Sequence, residues 1–228
     1  MTSRELPLGE PVEPCDRLDR PQRAAQQGQF VTLEPLIPER DLQQLFECSN
    51  GDLERDQLWT YLPYGPFPDI AAMGAWLREI APLADPLFFT VLDRKADRPV
   101  GMVSFLAIAP EMRSLELGHI WYAPGAQRTS INTEAIYLML CESFDRLQYR
   151  RVEWKCDALN ERSRTAALRL GFQFEGLFRQ HRIVKGRNRD TAWFSMLDLE
   201  WPVIKQYMET WLYRAEPGAI SLRAFNSE

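Results

Sequence analysis

Histidine and closely spaced cysteine are scarce in this sequence. The 228 residues include only two histidines and four scattered cysteines, with no C-x-x-C pair. A structural zinc site needs about four such ligands at short spacings, and a disulfide framework needs dense, regularly placed cysteines. We therefore expect neither a metal site nor a disulfide scaffold.

Long apolar runs and excess positive charge are also lacking. No run of about 18 apolar residues is present, and the first residues do not follow the charged-then-apolar order of a secretory signal. The 27 Lys and Arg against 32 Asp and Glu give a net charge of -5, which provides no general field for nucleic acid or an anionic membrane. We expect a cytoplasmic protein that binds neither membrane nor nucleic acid. A basic segment is more typical of a solvated hairpin tip than of a nucleic-acid site: Arg179, Arg182, Lys185, Arg187 and Arg189.

The composition of the chain changes near residue 30. Residues 1–29 contain four prolines among mixed charges, which is typical of a poorly ordered arm or of a segment packed on a partner subunit. The second alternative is consistent with a homodimer. Residues 30–213 carry strand and helix patterns and enough apolar residues for one core, and residues 214–228 form a polar tail.

The order of these patterns predicts a mixed α/β fold. Strands and helices follow as β-α-α-β-β-β-α-β-α-β-β, with a sheet that is antiparallel in its first half. Two strand-to-helix crossovers, after Tyr122 and after Cys156, place parallel strands side by side. Where such strands splay, a cleft opens at their carboxyl ends, and ligands bind there in open α/β sheets.

The segment from Leu115 to Glu134 lies at the centre of this arrangement. It starts as an alternating strand, breaks at Pro124-Gly125, and enters a helix, so its loop gathers free backbone N–H groups and the positive end of a helix dipole. This joint is a candidate anion or phosphate site.

Polar residues near the predicted cleft are candidates for chemistry. Glu116 is a carboxylate within a central strand, which is costly unless it is paired or hydrated, and a structural ion pair with an arginine is the alternative to a catalytic role. Asn160 is a natural N-cap for the second crossover helix, with Ser163 at the mouth of that helix. The aromatic loop of residues 56–68 either plugs a core edge or lines a ligand pocket.

Four segments together resemble the GNAT N-acetyltransferases, and most of all their ribosomal-protein N-terminal acetyltransferase branch. They are Glu116-Leu-Gly-His-Ile-Trp121, Gln127-Arg-Thr-Ser-Ile-Asn-Thr-Glu-Ala135, Val152-Glu-Trp-Lys-Cys-Asp-Ala-Leu-Asn160-Glu-Arg-Ser163 and Leu170-Gly-Phe-Gln-Phe-Glu-Gly176. The resemblance covers residues 30 to 201. It implies a GNAT-like mixed, partly antiparallel central sheet, with helices on both faces and a splayed cleft between two parallel strands.

The resemblance also implies acetyl-CoA as the donor co-substrate, with no metal. The pyrophosphate would lie on the loop after the central strand, although Ser130 and Asn132 replace the two small residues of the family pattern. Larger side chains could narrow this cradle, whereas the charge of Arg128 and the hydroxyls beside it could add donors. The expected acetyl-CoA-binding residues are Ile120, Trp121, Tyr122, Gln127, Arg128, Thr129, Ser130, Ile131, Asn132, Thr133, Asn160 and Ser163.

The roles in catalysis are assigned by the same resemblance. Glu116 is the expected base, acting through water, and Ser163 the expected acid, with the alternative that Ser163 is only a helix-cap hydroxyl. Many family members use a tyrosine as the general acid, and Ala167 stands at that position here. A further carboxylate that serves as general base in the ribosomal branch is replaced by Arg182. His181 is a poor substitute because neighbours on a strand face opposite sides.

His119 is expected to be a core or edge residue. The proposed acceptor-pocket residues are Trp59, Tyr61, Tyr64 and Glu116. The sequence thus predicts transfer of an acetyl group, by direct attack, to the primary amine of a peptide N-terminus or small molecule. The alternative is a catalytically silent acyl-CoA-binding module.

Overall fold

One mixed sheet of eight strands runs through the molecule. The structure, a computed structural model, describes residues 6–15 and 19–214. The strand order is β1-β2-β3-β4-β5-β6-β8-β7, and among these residues the only parallel pair is β5 with β6. The strands are β1 (Gln26–Gln27), β2 (Val31–Pro35), β3 (Leu87–Asp93), β4 (Arg98–Ala109), β5 (Ser114–Tyr122), β6 (Arg151–Asp157), β7 (Gln173–Val184) and β8 (Arg187–Leu197). The predicted mixed fold is confirmed.

The described residues contain six α-helices, five of them between strands and α6 after β8. They are α1 (Pro38–Ser49), α2 (Leu53–Asp56), α3 (Ile70–Ile80), α4 (Ser130–Leu140), α5 (Glu161–Arg169) and α6 (Trp201–Glu209). Asn160 accepts the N–H of Ser163, which confirms the predicted N-cap, and Asp69 caps α3 in the same way by accepting the N–H of Ala72. The segment expected to be an irregular aromatic loop contains the end of α2 and a short 3-10 turn, Gln57–Trp59.

Two apolar cores lie on opposite faces of the sheet. Helices α4, α5 and α6 cover the larger core, while α1, α3 and the 3-10 turn cover the smaller one. Strand β3 shows the pleat that separates them, because Phe89 and Val91 enter the larger core and Phe88 enters the smaller. Helices therefore cover both faces, as predicted.

The regular alternation expected along β5 is broken at His119. Met102 of β4 pairs with Trp121 and Ser104 pairs with Gly118, so β5 carries one extra residue there. His119 takes up this residue in the left-handed region, with φ of 52°. Leu117 and Trp121, expected on one face, consequently lie in different cores.

Residues 19–29, assigned from the sequence to an arm, pack on the body of the same chain. Gln26–Gln27 pair with β2, and Arg23 donates to the carbonyl of Ala81 at 2.7 Å. Glu134, a fully buried carboxylate on α4, accepts the backbone N–H groups of residues 29, 30 and 31 at 2.8, 2.6 and 2.8 Å. Residues 1–5 and 16–18 of the predicted arm lie outside the described residues, as does the predicted tail after Arg214.

Neither a membrane span nor a metal cluster is present in residues 6–15 and 19–214. No helix there combines the length and apolar character needed to cross a bilayer. The same residues hold no group of three or more His, Cys, Asp or Glu side chains placed to bind a metal ion.

Candidate active site

The two parallel strands separate part-way along their length. β5 and β6 pair only from Ser114 with Arg151 to Leu117 with Trp154. Beyond this point β5 keeps its pairing to β4, and β6 keeps its pairing to β8. A gap therefore opens at the carboxyl ends of the two strands, and the backbone groups that face it have no strand partner.

A cavity of about 900 Å³ occupies this gap. Its wall includes Trp154 and Cys156, which face the larger core, and also Lys155, which points to the opposite face of β6. On one side the wall contains Ser163 of α5 and Asn132 of α4. The cavity thus reaches both faces of the sheet, so two ligands could meet within it from opposite sides.

Glu116 lies in the cavity wall and is paired with a lysine. Its Oε2 atom is 2.9 Å from Nζ of Lys155, which also lies 2.7 Å from Glu153 and 3.8 Å from the ring centre of Trp193. Burial raises the pKa of Glu116, and the positive charge of Lys155 offsets part of this rise. A carboxylate with a raised pKa is a stronger base. The ion pair with Lys155 moderates this basicity, and Glu116 still lines the cavity.

The hydroxyl of Ser163 is oriented by a neighbouring indole. Nε1 of Trp154 donates to Oγ of Ser163 at 3.0 Å, which leaves the hydroxyl proton available for another acceptor. Ser163 also lowers the pKa of the Cys156 thiol against the larger rise that burial causes. The helix is capped by Asn160, which accepts the backbone N–H of Ser163 at 3.1 Å. The Ser163 hydroxyl is therefore not used for capping and can donate to a ligand atom.

The loop before α4 brings only part of the predicted acetyl-CoA set to the cavity. The members that line it are Ile120, Trp121, Tyr122, Gln127, Asn132, Asn160 and Ser163. Thr129 caps α4 by accepting the N–H of Ile131 at 3.2 Å, and Ile131 packs against the larger core. Thr133 is fully buried and accepts from the guanidinium of Arg169 at 3.0 Å, so its hydroxyl faces the protein interior.

Arg128 and Ser130 lie between cavity-lining residues at the start of the helix. Arg128 is exposed and has φ of 58°, a conformation that glycine adopts freely and other residues seldom do. The loop that lacks the two small residues of the family pattern thus also has Arg128 in the left-handed conformation, at the point where the backbone turns into α4. The Arg128 side chain makes no hydrogen bond to any described residue that would prevent it from reaching an anion.

The aromatic loop divides between core and cavity. Trp59 is fully buried, and its Nε1 donates to the carbonyl of Ser49 at 2.7 Å, so its ring packs in the smaller core and does not line the cavity. Tyr64 is also outside the wall and shares a 2.9 Å hydrogen bond with Nδ1 of His119. Tyr61 does line the cavity, and its hydroxyl donates to the carbonyl of Leu159 at 3.2 Å. The loop therefore both plugs a core edge and contributes to the wall.

Both histidines line the cavity. His119 lines the cavity at the β5 bulge, and burial lowers its pKa to about 4, so the ring is neutral at pH 7. His181 and Arg182 both line the cavity, although neighbours on a regular strand would face opposite sides. The reason is a bulge on β7, where the three residues between Phe178 and Arg182 oppose the single residue between Arg189 and Thr191 on β8.

Comparisons with known proteins agree with this geometry. The family of acetyltransferase (GNAT) domains matches residues 31–173. The chain belongs to the GNAT family of acetyltransferases. The structure of a GCN5-related N-acetyltransferase from Brucella melitensis is 40% identical, with a TM-score of 0.87 over 92% of this chain and 97% of that one.

Two bacterial relatives extend the comparison. A Bacillus subtilis protein with a provisional ribosomal N-acetyltransferase name, YdaF, is 32% identical over 101 residues, which are 44% of this chain and 55% of that protein. The uncharacterized N-acetyltransferase p20 of Bacillus licheniformis is 27% identical over 180 residues, which are 74% of this chain and 99% of p20. The predicted family resemblance is confirmed, and GNAT enzymes take the acetyl group from acetyl-CoA.

The geometry of this GNAT domain fits a CoA-type ligand. α4 begins at Ser130, and the capping hydroxyl takes up only one of the N–H groups in its first turn, so others are free to bind phosphate oxygens. The splayed strands offer unpaired backbone groups to a pantetheine-like chain. Asn160, Ser163 and Asn132 are the side chains placed to hold it.

Sequence reasoning missed three residues of the GNAT cavity. Lys155 and Trp193 are cross-strand partners on β6 and β8, and Arg189 lies four residues before Trp193 on the same face of β8. Arg189 had been assigned to a solvated tip. The alternation on β6 does place Lys155 on the face opposite to the buried Trp154, but only the parallel register of β5 and β6 shows that Lys155 meets Glu116.

Proposed function

We propose that this protein transfers the acetyl group of acetyl-CoA to a primary amine, of a small molecule or a peptide N-terminus, by direct attack. The proposal rests on one observation, that Glu116 and Ser163 lie in the wall of a single cavity where β5 and β6 separate. One side of that cavity suits the donor, at the start of α4, and the other side is left for the acceptor.

The residues divide the proton transfers between them. Attack of the amine nitrogen on the thioester carbon forms the C–N bond and breaks the C–S bond. Glu116, directly or through a water, takes the proton that the amine loses. Ser163, with its oxygen fixed by Trp154, supplies the proton that the departing thiolate needs. Backbone N–H groups between Ile120 and Tyr122 stabilise the developing oxyanion.

Of the proposed acceptor-pocket residues, Tyr61 and Glu116 keep that role. Tyr61 closes one wall through its bond to the carbonyl of Leu159. Lys185 at the tip of the β7–β8 hairpin donates to the carbonyl of Trp59 at 2.7 Å, so the hairpin and the aromatic loop are tied together above the acceptor side. The acceptor therefore enters a bounded pocket.

A thiol-release assay with acetyl-CoA and a panel of primary amines tests the proposal. We expect Glu116→Gln and Ser163→Ala each to reduce turnover by roughly 10²-fold, with binding of acetyl-CoA retained in Glu116→Gln. Glu153→Gln is the matched control, because Glu153 also pairs with Lys155 but does not line the cavity. Turnover in the control should stay within a few-fold of the parent.

Two results would contradict the proposal. An equal loss in Glu153→Gln would show that the ion network, and not a base, is responsible for the effect of Glu116→Gln. Tight acetyl-CoA binding with no thiol release for any amine would instead favour the silent acyl-CoA-binding module.

Location and assembly follow as secondary proposals. Cys48, Cys141 and Cys156 are thiols, which suits a reducing compartment, so we place the protein in the cytoplasm. The homodimer stays a prediction, and light scattering of the full chain measures it.

A further inference from the structure

Two arginines face each other across the β7–β8 hairpin, inside the cavity wall. Arg182 and Arg189 are directly opposed in the strand register and both line the cavity. Like charges placed directly opposite each other destabilise a sheet. Neither guanidinium lies within ion-pair distance of a carboxylate in the described part of the chain. Arg182 is exposed and Arg189 half-buried, so the fold keeps two neighbouring cations at the cavity wall that an added anion would stabilise.

Hydrogen-bond donors in the same wall also lack partners. Nε of Arg189 and Nε1 of Trp193 are both buried from water without an acceptor in the described residues. Arg189 and Trp193 lie on one face of β8, so these donors border the same part of the cavity. A buried donor without an acceptor costs about 1–3 kcal/mol, and a ligand oxygen at this place would remove that cost.

The nearby acidic groups are already engaged. Glu116 pairs with Lys155, and Asp157 accepts the backbone N–H of Leu159 at 2.9 Å. Asp190, next to Arg189 in sequence, accepts from Gln180 and from Asn188. None of these carboxylates is therefore placed to neutralise the two arginines.

The arginine pair and Glu116 line the same cavity, so one small molecule can contact both. The charge of Arg189 acts on Glu116, where it lowers the pKa against the rise that burial causes. Both arginines also help to lower the pKa of His181 beside them, after the larger effect of burial. The positive field therefore covers the part of the cavity where the acceptor amine must lose its proton.

We propose that the acceptor carries a carboxylate, bound by Arg182 and Arg189 with Trp193 as a further donor, a few bonds from the amine that is acetylated. This rests on the proposed function and narrows its substrate class to amines with an acidic group. The carboxylate can be the α-carboxylate of a free amino acid or an acidic side chain next to a peptide N-terminus.

Matched acceptor pairs test the proposal in the thiol-release assay. One arm compares glycine and glutamine with glycinamide and glutamine amide, and the other compares the amidated dipeptides Ala-Glu and Ala-Gln. We expect the acid to be preferred over its matched neutral partner by roughly 10- to 100-fold in kcat/KM in at least one arm, since hydrogen bonds to a charged group have this strength. The arm that shows the preference identifies the source of the carboxylate.

Variants assign the preference to the arginine pair. Arg182→Gln and Arg189→Gln should each raise the KM of the acidic acceptor at least 10-fold and leave the KM of acetyl-CoA unchanged. Arg187→Gln is the control, because Arg187 lies on the same hairpin, is exposed, and does not line the cavity. Equal use of acid and neutral partner by the parent protein would overturn the proposal. So would arginine variants that raise the KM of acetyl-CoA instead, because the pair would then bind a phosphate of the donor.

A binding measurement separates this proposal from the proposed function. Calorimetry with succinate as the probe should show binding that weakens at least 10-fold in both arginine variants and not in Arg187→Gln. If no amine releases thiol but succinate still binds in this way, the enzyme proposal fails and the anion site stands. If thiol is released but succinate does not bind, or binds equally well to the arginine variants, the anion-site proposal is wrong and the proposed function stands.

Discussion

Substituting Glu134 by glutamine tests how the N-terminal segment is held to the domain. This fully buried carboxylate accepts the N–H groups of Gln29, Phe30 and Val31, and Oε1 also accepts the hydroxyl of Tyr213 at 2.8 Å. A glutamine has one acceptor oxygen and one NH₂ group in the same volume. The NH₂ group must then face at least one backbone N–H donor.

The lowest-cost arrangement places the NH₂ group at the position of Oε1. There the hydroxyl of Tyr213 can rotate and accept, so the N–H of Gln29 is the donor left without a partner. Loss of one hydrogen bond to a charged acceptor costs about 1.5–3 kcal/mol, and two further bonds weaken from charged to neutral. The sum is about 3–5 kcal/mol, which corresponds to a fall in Tm of about 6–20 °C for a chain of this size.

Urea denaturation and a thermal scan measure this change. Glu79→Gln on α3 is the control, because Glu79 is exposed and has no hydrogen-bond partner among the described residues, so its substitution should stay within about 0.5 kcal/mol. A loss of less than about 1 kcal/mol for Glu134→Gln would refute the reasoning. It would mean that the three backbone N–H groups find other acceptors when the carboxylate is removed.

Three further predictions concern the cavity. Because Lys155 lowers the pKa of Glu116, Lys155→Met should move the acidic limb of kcat/KM to higher pH; an unmoved limb would exclude Glu116 as the titrating base. Burial lowers the pKa of His119 to about 4, so its contribution to stability, about 3 kcal/mol, should be complete above pH 6.5 and lost as the pH falls to 4. An NMR titration of the His119 ring with a midpoint near 6.5 would contradict this. Arg128→Gly should stabilise the fold by about 1 kcal/mol, by relieving the positive φ, and still raise the KM of acetyl-CoA several-fold; unchanged KM would show that the arginine does not bind the donor.

The alternation of apolar and polar residues, together with turn and cap residues, was sufficient to predict the helices and strands around the site. The predicted strand Ser114–Tyr122 has the bounds that the structure shows, because apolar and polar residues alternate up to a Pro-Gly pair. Asn160 was recognisable as a cap because its side chain acts within its own helix turn. Such features depend on residues close in sequence, which a single chain displays directly.

Contacts between strands were not predictable in the same way. Glu116 was expected to pair with an arginine if it were structural, and its partner is Lys155, two residues beyond the Glu153 that opposes it in the parallel register. That register depends on where two strands begin to pair, after a crossover of about 30 residues. Trp59 was misplaced for a similar reason, because the burial of its ring depends on α1, α3 and β5 together.

The bulges at His119 on β5 and at Gln180 on β7 explain why strand alternation did not predict the side chains of the site. On a regular β5, the residues on either side of His119 would keep their alternation, and on a regular β7 only one of His181 and Arg182 could face the cavity. The extra residues at these places have left-handed conformations at His119 and Gln180, without the glycine that usually signals them. Each bulge stores backbone strain, and each turns a side chain into the same cavity. His119 and Gln180 both lie on strands that border the acceptor side, and a further left-handed residue, Ala107, lies on the neighbouring strand β4. The arginine pair and the neutral imidazole of His119 could not all face one small acceptor if both strands had a regular pleat.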